Sequence, residues 1–122
     1  MHILLAAPDR NFLECYQQIL APSFGEVVTA FDGTQILALL QEERFDLVLL
    51  DSDVPRVDRR ILVRRIREKK IPLIEMTAGD GREGEAQPDA CLSHPFTPEE
   101  ICGAVKELLK TENGSGEENT DE

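Results

Sequence analysis

Short, mainly apolar runs alternate along the chain with longer segments whose apolar residues recur at helical spacing. An apolar run without polar alternation is typical of a strand that is covered on both faces, as in a parallel sheet flanked by helices. The pattern predicts five such strands, at residues 3–7, 25–30, 45–50, 72–76 and 90–93.

Four segments have the apolar periodicity of amphipathic helices. Asp9 and Asp58 precede two of them, and aspartate is a favoured N-cap residue. The last helix has proline and two acids in its first turn, where both suit the helix dipole. The first predicted helix begins after Asp9, and the third begins after Asp58. The second predicted helix spans residues 33–43, and the fourth spans residues 98–110.

The segment between the fourth and fifth strands has a different character. Residues 79–88 contain one small aliphatic residue and show no amphipathic period, so we predict a loop. Gly79, Gly81 and Gly84 match the G-x-G-x-x-G pattern of dinucleotide sites. We exclude such a site because no helix is predicted to follow and the segment's three acids would repel a pyrophosphate.

Strands that alternate with helices through short connections predict an α/β domain with one doubly wound, five-stranded parallel sheet. The length of 122 residues fits a single domain. We assign this domain to residues 1–110. Residues 111–122 contain five acids, no base and no aliphatic residue, and we predict a disordered acidic tail or linker there.

The composition narrows the range of functions. A formal net charge of −11 argues against direct nucleic-acid binding, which depends on phosphate contacts. No apolar run is long enough to span a membrane, and we expect a cytoplasmic protein without membrane contact. Cys15, Cys91 and Cys102 lack the spacing of a zinc site or a disulfide framework, so we interpret them as reduced packing residues.

The bases are concentrated, since eight of the thirteen Lys and Arg residues lie in residues 56–70. On a helix, Arg60, Arg64 and Arg67 form one stripe, opposite the aliphatic residues that face the sheet. A solvated helix face is the simpler interpretation. The alternative is a docking surface for an acidic partner, which the variant Arg60→Glu/Arg64→Glu would test.

Polar side chains follow the ends of three predicted strands. Asp51 follows the third strand, Thr77 the fourth and His94 the fifth. Because the carboxyl ends of parallel strands share one edge of the sheet, where open α/β sheets bind their ligands, we expect these side chains to lie together.

The ordered motifs resemble the receiver domains of two-component response regulators, over residues 2 to about 110. The similar features are the hydrophobic strand ending at Asp51 with Pro55 four residues later, Met76-Thr77-Ala78, and His94-Pro95-Phe96 where the family has Lys-Pro-Phe. The resemblance implies a flavodoxin-like fold with strand order 2-1-3-4-5. In this chain the fourth helix of that fold is predicted to be shortened or replaced by a loop.

The resemblance also implies roles for individual residues. In the family, the acceptor Asp takes a phosphoryl group with the help of Mg2+, Thr or Ser and Lys contact that group, and an aromatic residue on the fifth strand repositions. By this resemblance Asp51 is the phosphoacceptor, Thr77 and His94 contact the phosphoryl group, and Cys91 occupies the switch position.

Several positions depart from the family pattern. Ala7 and Pro8 replace the acidic pair after the first strand, and neither can bind a metal ion. Asp9, Asp51 and Asp53 are then the candidate metal ligands.

Two further departures affect the switch itself. His94 is a conditional cation in place of a permanent one, because a histidine has a reference pKa of about 6.5. Cys91 is much smaller than an aromatic residue, and Arg59 replaces the Gly usual after residue 58.

These departures favour a pseudo-receiver, a non-enzymatic module that binds proteins whether or not it is phosphorylated. We expect no cofactor, and Mg2+ only if the site works as in the family. Its expected partners are a sensor histidine kinase or a downstream signalling protein, and a homodimer is a further candidate. The alternatives are a working receiver with a rebuilt metal site, and a small-ligand binder or enzyme that uses Asp51, Asp53, Thr77 and His94.

Overall fold

The computed structural model describes the backbone of residues 1–78 and 88–121, and the side chains of residues 1–78 and 88–110. Five parallel strands form one sheet in the order β2-β1-β3-β4-β5, which confirms the predicted topology. The strands are β1 His2–Ala6, β2 Glu26–Ala30, β3 Leu47–Asp51, β4 Leu73–Thr77 and β5 Ala90–Ser93. The helices are α1 Arg10–Phe24, α2 Gly33–Glu42, α3 Arg59–Glu68 and α4 Pro98–Asp121.

The sheet is covered on both faces, as its apolar runs predict. Every residue of β3 and of β4 is buried. One core cluster joins alternate residues of β1, β3 and β4 to the apolar residues of α2 and α3. The other cluster joins the intervening strand residues to α1 and α4. The central strands therefore contribute side chains to two hydrophobic cores, which explains why they contain so few polar residues.

Aspartate side chains fix the start of three helices. Asp9 accepts hydrogen bonds from the backbone N–H groups of Asn11 and Phe12 at 2.9 and 3.4 Å. Asp58 accepts one from the N–H of Arg60 at 2.8 Å. These contacts confirm Asp9 and Asp58 as the predicted N-caps. Asp32 caps α2 in the same way.

Two elements differ from their predicted bounds by more than one residue. The third strand begins at Leu47 rather than residue 45 and includes Asp51, because Asp51 pairs with Met76 of β4. The last helix continues to Asp121, beyond the predicted end at Lys110. Leu108 is its last buried residue among the described side chains, so the contact with the sheet ends where the apolar pattern ends.

The connection between β4 and β5 lies largely outside the described residues. The predicted loop, and with it the predicted replacement of the fourth helix, falls on residues 79–87, which the structure does not describe. In the described part, residues 1–78 and 88–121, no helix has both the length and the apolar character to cross a membrane.

Candidate functional site

The carboxyl edge of the sheet brings Asp51, Thr77 and His94 together, as the sequence predicts. Asp51 is the last residue of β3, Thr77 is the last residue of β4, and His94 follows β5 directly. His94 Nε2 lies 3.1 Å from Asp51 Oδ2, and the backbone N–H of His94 donates to the Thr77 carbonyl oxygen at 2.8 Å. One short hydrogen-bond network therefore joins the ends of three strands.

Asp51 is buried, with 7% of its surface exposed. Its Oδ1 accepts a hydrogen bond from the backbone N–H of Asp53 at 2.8 Å, while Oδ2 faces the His94 ring. Thr77 is 9% exposed at the neighbouring strand end. Both oxygens of the Asp51 carboxylate thus already have a partner within the protein. A ligand that binds Oδ2 would have to share this oxygen with the His94 ring.

The ring of His94 belongs to an aromatic cluster formed by Phe12, Tyr16, His94 and Phe96. Its centroid lies 4.9 Å from that of Phe96 and 6.1 Å from that of Phe12. The Tyr16 hydroxyl donates to the Phe96 carbonyl oxygen at 3.4 Å, and burial raises the pKa of this hydroxyl. Helix α1 and the segment after β5 together hold His94 against Asp51.

An ion pair between buried Glu75, two residues before Thr77, and partly buried Arg59 was not predicted from the sequence. Glu75, 2% exposed in the middle of β4, receives two hydrogen bonds from the Arg59 guanidinium. The bond from Arg59 Nη2 to Glu75 Oε1 is 2.6 Å long. The signal for this pair was present in the sequence as a single acid within an otherwise apolar strand, together with an arginine at the start of the basic helix.

The family model described as the response regulator receiver domain matches residues 3–106 of this chain. The chain belongs to this family. The resemblance seen in the motifs is therefore confirmed, and the carboxyl edge that holds Asp51, Thr77 and His94 is the edge at which the family's motifs lie.

Known proteins support the same assignment of a receiver domain. The chain is 29% identical over 115 residues to the alkaline phosphatase synthesis transcriptional regulatory protein PhoP of Bacillus subtilis, covering 88% of this chain and 48% of that protein. It is 30% identical to the response regulator MprA of Mycolicibacterium vanbaalenii, covering 96% of this chain and 55% of that protein. The receiver domain thus spans about half the length of the curated relatives it matches.

Solved structures also match over nearly the whole chain. A CheY-like response regulator receiver domain protein from Methanospirillum hungatei superposes with a TM-score of 0.84 at 25% identity, covering 93% of this chain and 97% of that one. The BeF3-activated DrrB receiver domain superposes with a TM-score of 0.78 at 28% identity, with coverage of 89% and 97%.

The residues described at the carboxyl edge do not fit the magnesium site that the family implies. Ala7, buried after β1, and Pro8 offer no side-chain oxygen. Asp9 is exposed, and its carboxylate caps α1. Among the described residues, no group of three or more His, Cys, Asp or Glu side chains is arranged to hold a metal ion. The structure does not bring Asp9, Asp51 and Asp53 together as such a group.

Cys91, the predicted switch position, lies on β5 at the edge of the sheet. Its side chain is exposed, and it is paired in register with Glu75 of β4. A thiol is much smaller than an aromatic ring and covers little of the neighbouring surface. In the family an aromatic residue repositions at this point of the fifth strand, and Cys91 has no side chain of comparable size.

Proposed function

We propose that this receiver domain is a pseudo-receiver, a non-enzymatic interaction module of two-component signalling that binds its partners independently of phosphorylation. The observation that carries the proposal is the composition of the β1 end. Ala7 and Pro8 stand where the family has metal-binding acids, and the nearest carboxylate, that of Asp9, caps a helix. Phosphoryl transfer to a carboxylate needs cationic shielding of the like charges, and this strand end supplies none.

The contact between His94 and Asp51 adds support. In the family a lysine contacts the phosphoryl group, whereas here an imidazole lies against Oδ2 of Asp51 and packs on two aromatic rings, those of Phe12 and Phe96. A side chain fixed in this way occupies space beside the oxygen that would attack phosphorus. The arrangement favours one conformation of the edge over a switch between two.

Intact-mass measurement after incubation with a small phosphodonor and Mg2+ tests the proposal. We expect no added phosphoryl group on the wild-type protein under conditions that label an ordinary receiver domain. The variant Asp51→Asn provides the background. One phosphoryl group on the wild type that is absent from this variant would show a working receiver.

The second candidate is such a working receiver, phosphorylated on Asp51 with a rebuilt metal site. It is favoured by the retention of Asp51 and Thr77, both buried at adjacent strand ends. Mg2+ would then be held by Asp9, Asp51 and Asp53, which requires Asp9 to leave its helix cap. Saturable Mg2+ binding that is lost in Asp51→Ala would favour this candidate.

We assign the module protein partners, either a sensor histidine kinase or a downstream signalling protein, or a second copy in a homodimer. The formal net charge of −11 disfavours direct nucleic-acid binding by this chain. The proposed location is the cytoplasm. Residues 1–110 form the proposed receiver unit, with residues 111–122 as its tail or linker.

A further inference from the structure

Helix α3 carries a charge opposite to that of the rest of the protein. Residues 56–70 hold eight bases and two acids, whereas the remaining chain holds five bases and twenty-two acids. Arg60, Arg64 and Arg67 lie on the exposed side of α3, while Leu62 and Ile66 are buried against the sheet. The positive charge is therefore displayed on one helix surface of an acidic molecule.

The acids of the domain neutralise this surface only in part. Arg60 lies 3.3 Å from Asp58, an exposed pair that solvent screens strongly. Arg67 donates to Asp89 at 2.6 Å. The Asp89 carboxylate also accepts a hydrogen bond from the backbone N–H of Leu73, so it is shared between the two donors. Arg64 forms no ion pair with any side chain that the structure describes.

An apolar side chain lies among these arginines. Ile61 is 45% exposed, and only Met1 and Phe31 are comparably exposed among the large hydrophobic residues that the structure describes. It is next to Arg60 and one helical turn from Arg64 and Arg65. An apolar residue surrounded by arginines has the composition of a protein-binding surface, since such surfaces are enriched in arginine around a desolvated apolar centre.

We propose that the exposed side of α3 binds an acidic segment of a partner protein that carries one apolar side chain. Arg60 and Arg64 pair with its carboxylates, and Ile61 contacts the apolar side chain. The inference rests on the proposed function, because it states which kind of partner the module binds. The surface contains neither Asp51 nor any other residue of the carboxyl edge.

Charge and size favour this occupant over two others. A symmetric contact with a second copy would place the arginines of one α3 against the same arginines of the other. A ten-residue helix is about 15 Å long, so a short acidic segment fits within the basic surface. A nucleic-acid duplex would extend onto the acidic remainder of the domain, where it would be repelled.

The probe is a fluorescein-labelled ten-residue peptide in which glutamates flank one central leucine, measured by fluorescence anisotropy at about 50 mM salt, where screening is weak. We expect Arg60→Glu/Arg64→Glu to weaken binding at least about tenfold. The matched control is Lys106→Glu/Lys110→Glu, which makes the same change in net charge on exposed positions of α4 and should bind nearly as the wild type does.

Ile61→Ser tests the apolar contact. The wild type should prefer the leucine peptide to the same peptide with serine at the centre, and Ile61→Ser should remove that preference. Circular dichroism of each variant checks that the fold is retained, which we expect because all four bases and Ile61 are exposed.

Three outcomes would overturn the inference: no binding of either peptide to the wild type, equal loss in both charge-reversal variants, or tighter binding of a 20-base-pair DNA duplex through Arg60 and Arg64. A different result would contradict the proposed function. A phosphoryl group on Asp51 would contradict the pseudo-receiver and leave peptide binding unchanged, whereas loss of peptide binding alone contradicts only the partner chemistry.

Discussion

Glu75 places a carboxylate in the middle of a strand that is buried on both faces, and Arg59 supplies the neighbouring positive charge. Removing two charges from water costs several kcal/mol per ion, and their attraction offsets this only when the geometry is good. The guanidinium meets the carboxylate through two hydrogen bonds. Arg59 stands where the family has Gly, and its ion pair with Glu75 gives this departure from the family pattern a structural reason.

We expect Arg59→Ala to lower the free energy of unfolding by about 3–5 kcal/mol, because it leaves the Glu75 carboxylate buried and unpaired. The double variant Arg59→Met/Glu75→Met should recover most of this loss, since it removes both charges and retains apolar volume. Urea denaturation of the single and double variants measures the effect. Arg60→Ala, at an exposed pair, is the control and should change little. A double variant as unstable as the single one would contradict this account.

At the scale of elements, His2 of β1 connects its own strand to β2 and to the end of α2, at the amino edge of the sheet. Its Nε2 lies 2.6 Å from Glu43, the C-cap of α2, and its Nδ1 lies 3.1 Å from Glu26 of β2. Its ring stacks on Phe45 at 4.7 Å between centroids. The hydrogen bond to Glu43, helped by the charge of Glu26, raises the pKa of His2 above 6.5.

Protonated His2 therefore stabilises the folded state, and this gives the direction in which the free energy of unfolding changes with pH. A group with a raised pKa contributes its full stabilisation below its unfolded pKa and loses it as pH rises through the folded value. We expect the free energy of unfolding to fall as pH rises above 6.5, and His2→Gln to flatten this slope. Thermal or urea unfolding across that range measures it. An unchanged slope in His2→Gln would exclude His2 as the cause.

The sequence predicted the elements well because each depends on a local pattern. The five strands and four helices of the described residues were all predicted, since a run of aliphatic residues or an N-cap aspartate is visible without knowing the neighbours. The contact between Asp51 and His94 followed from strand order. The difference at β3 has a non-local cause: the strand includes Asp51 through its pairing with Met76, and Phe45 lies before the strand, in a core cluster and stacked on His2.

The interactions that the sequence did not predict join residues distant in the chain. Arg59 and Glu75 are separated by sixteen positions, and Tyr16 and Phe96 by eighty. Each member alone has an ordinary interpretation, as a helix base, a strand acid or a core aromatic. Whether such partners meet depends on how side chains of separate elements pack, so neither the aromatic cluster nor the Arg59–Glu75 ion pair follows from a local pattern.

For the molecule as a whole, the fold and the chemistry of its carboxyl edge depend largely on different residues, and Ala7, at the β1 end, belongs to both. The two hydrophobic cores are built by the strands and the buried helix faces. The residues that depart from the family at the strand ends include Pro8 and Cys91, both exposed, and His94, which is half-buried. Substitution at such positions leaves most of the core contacts in place, so the receiver fold does not depend on the side chains that stand there.

This separation implies that the family's acidic pair and lysine can be introduced on the existing scaffold. The variant Ala7→Asp/Pro8→Asp/His94→Lys returns the acidic pair and the permanent cation. We expect it to be less stable than the wild type without metal, because Ala7 is buried and adjacent carboxylates repel each other. Mg2+ should raise its Tm, since an ion that binds only the folded state stabilises that state.

The restored site should also accept one phosphoryl group from a small phosphodonor, detected by intact mass, whereas the wild type should accept none. Adding Asp51→Asn to the triple variant should abolish the modification and identify Asp51 as the acceptor. A triple variant that folds and binds Mg2+ but stays unmodified would show that the acids and the lysine are insufficient. The obstacle would then lie in the surroundings of Asp51, such as its hydrogen bond from the Asp53 backbone.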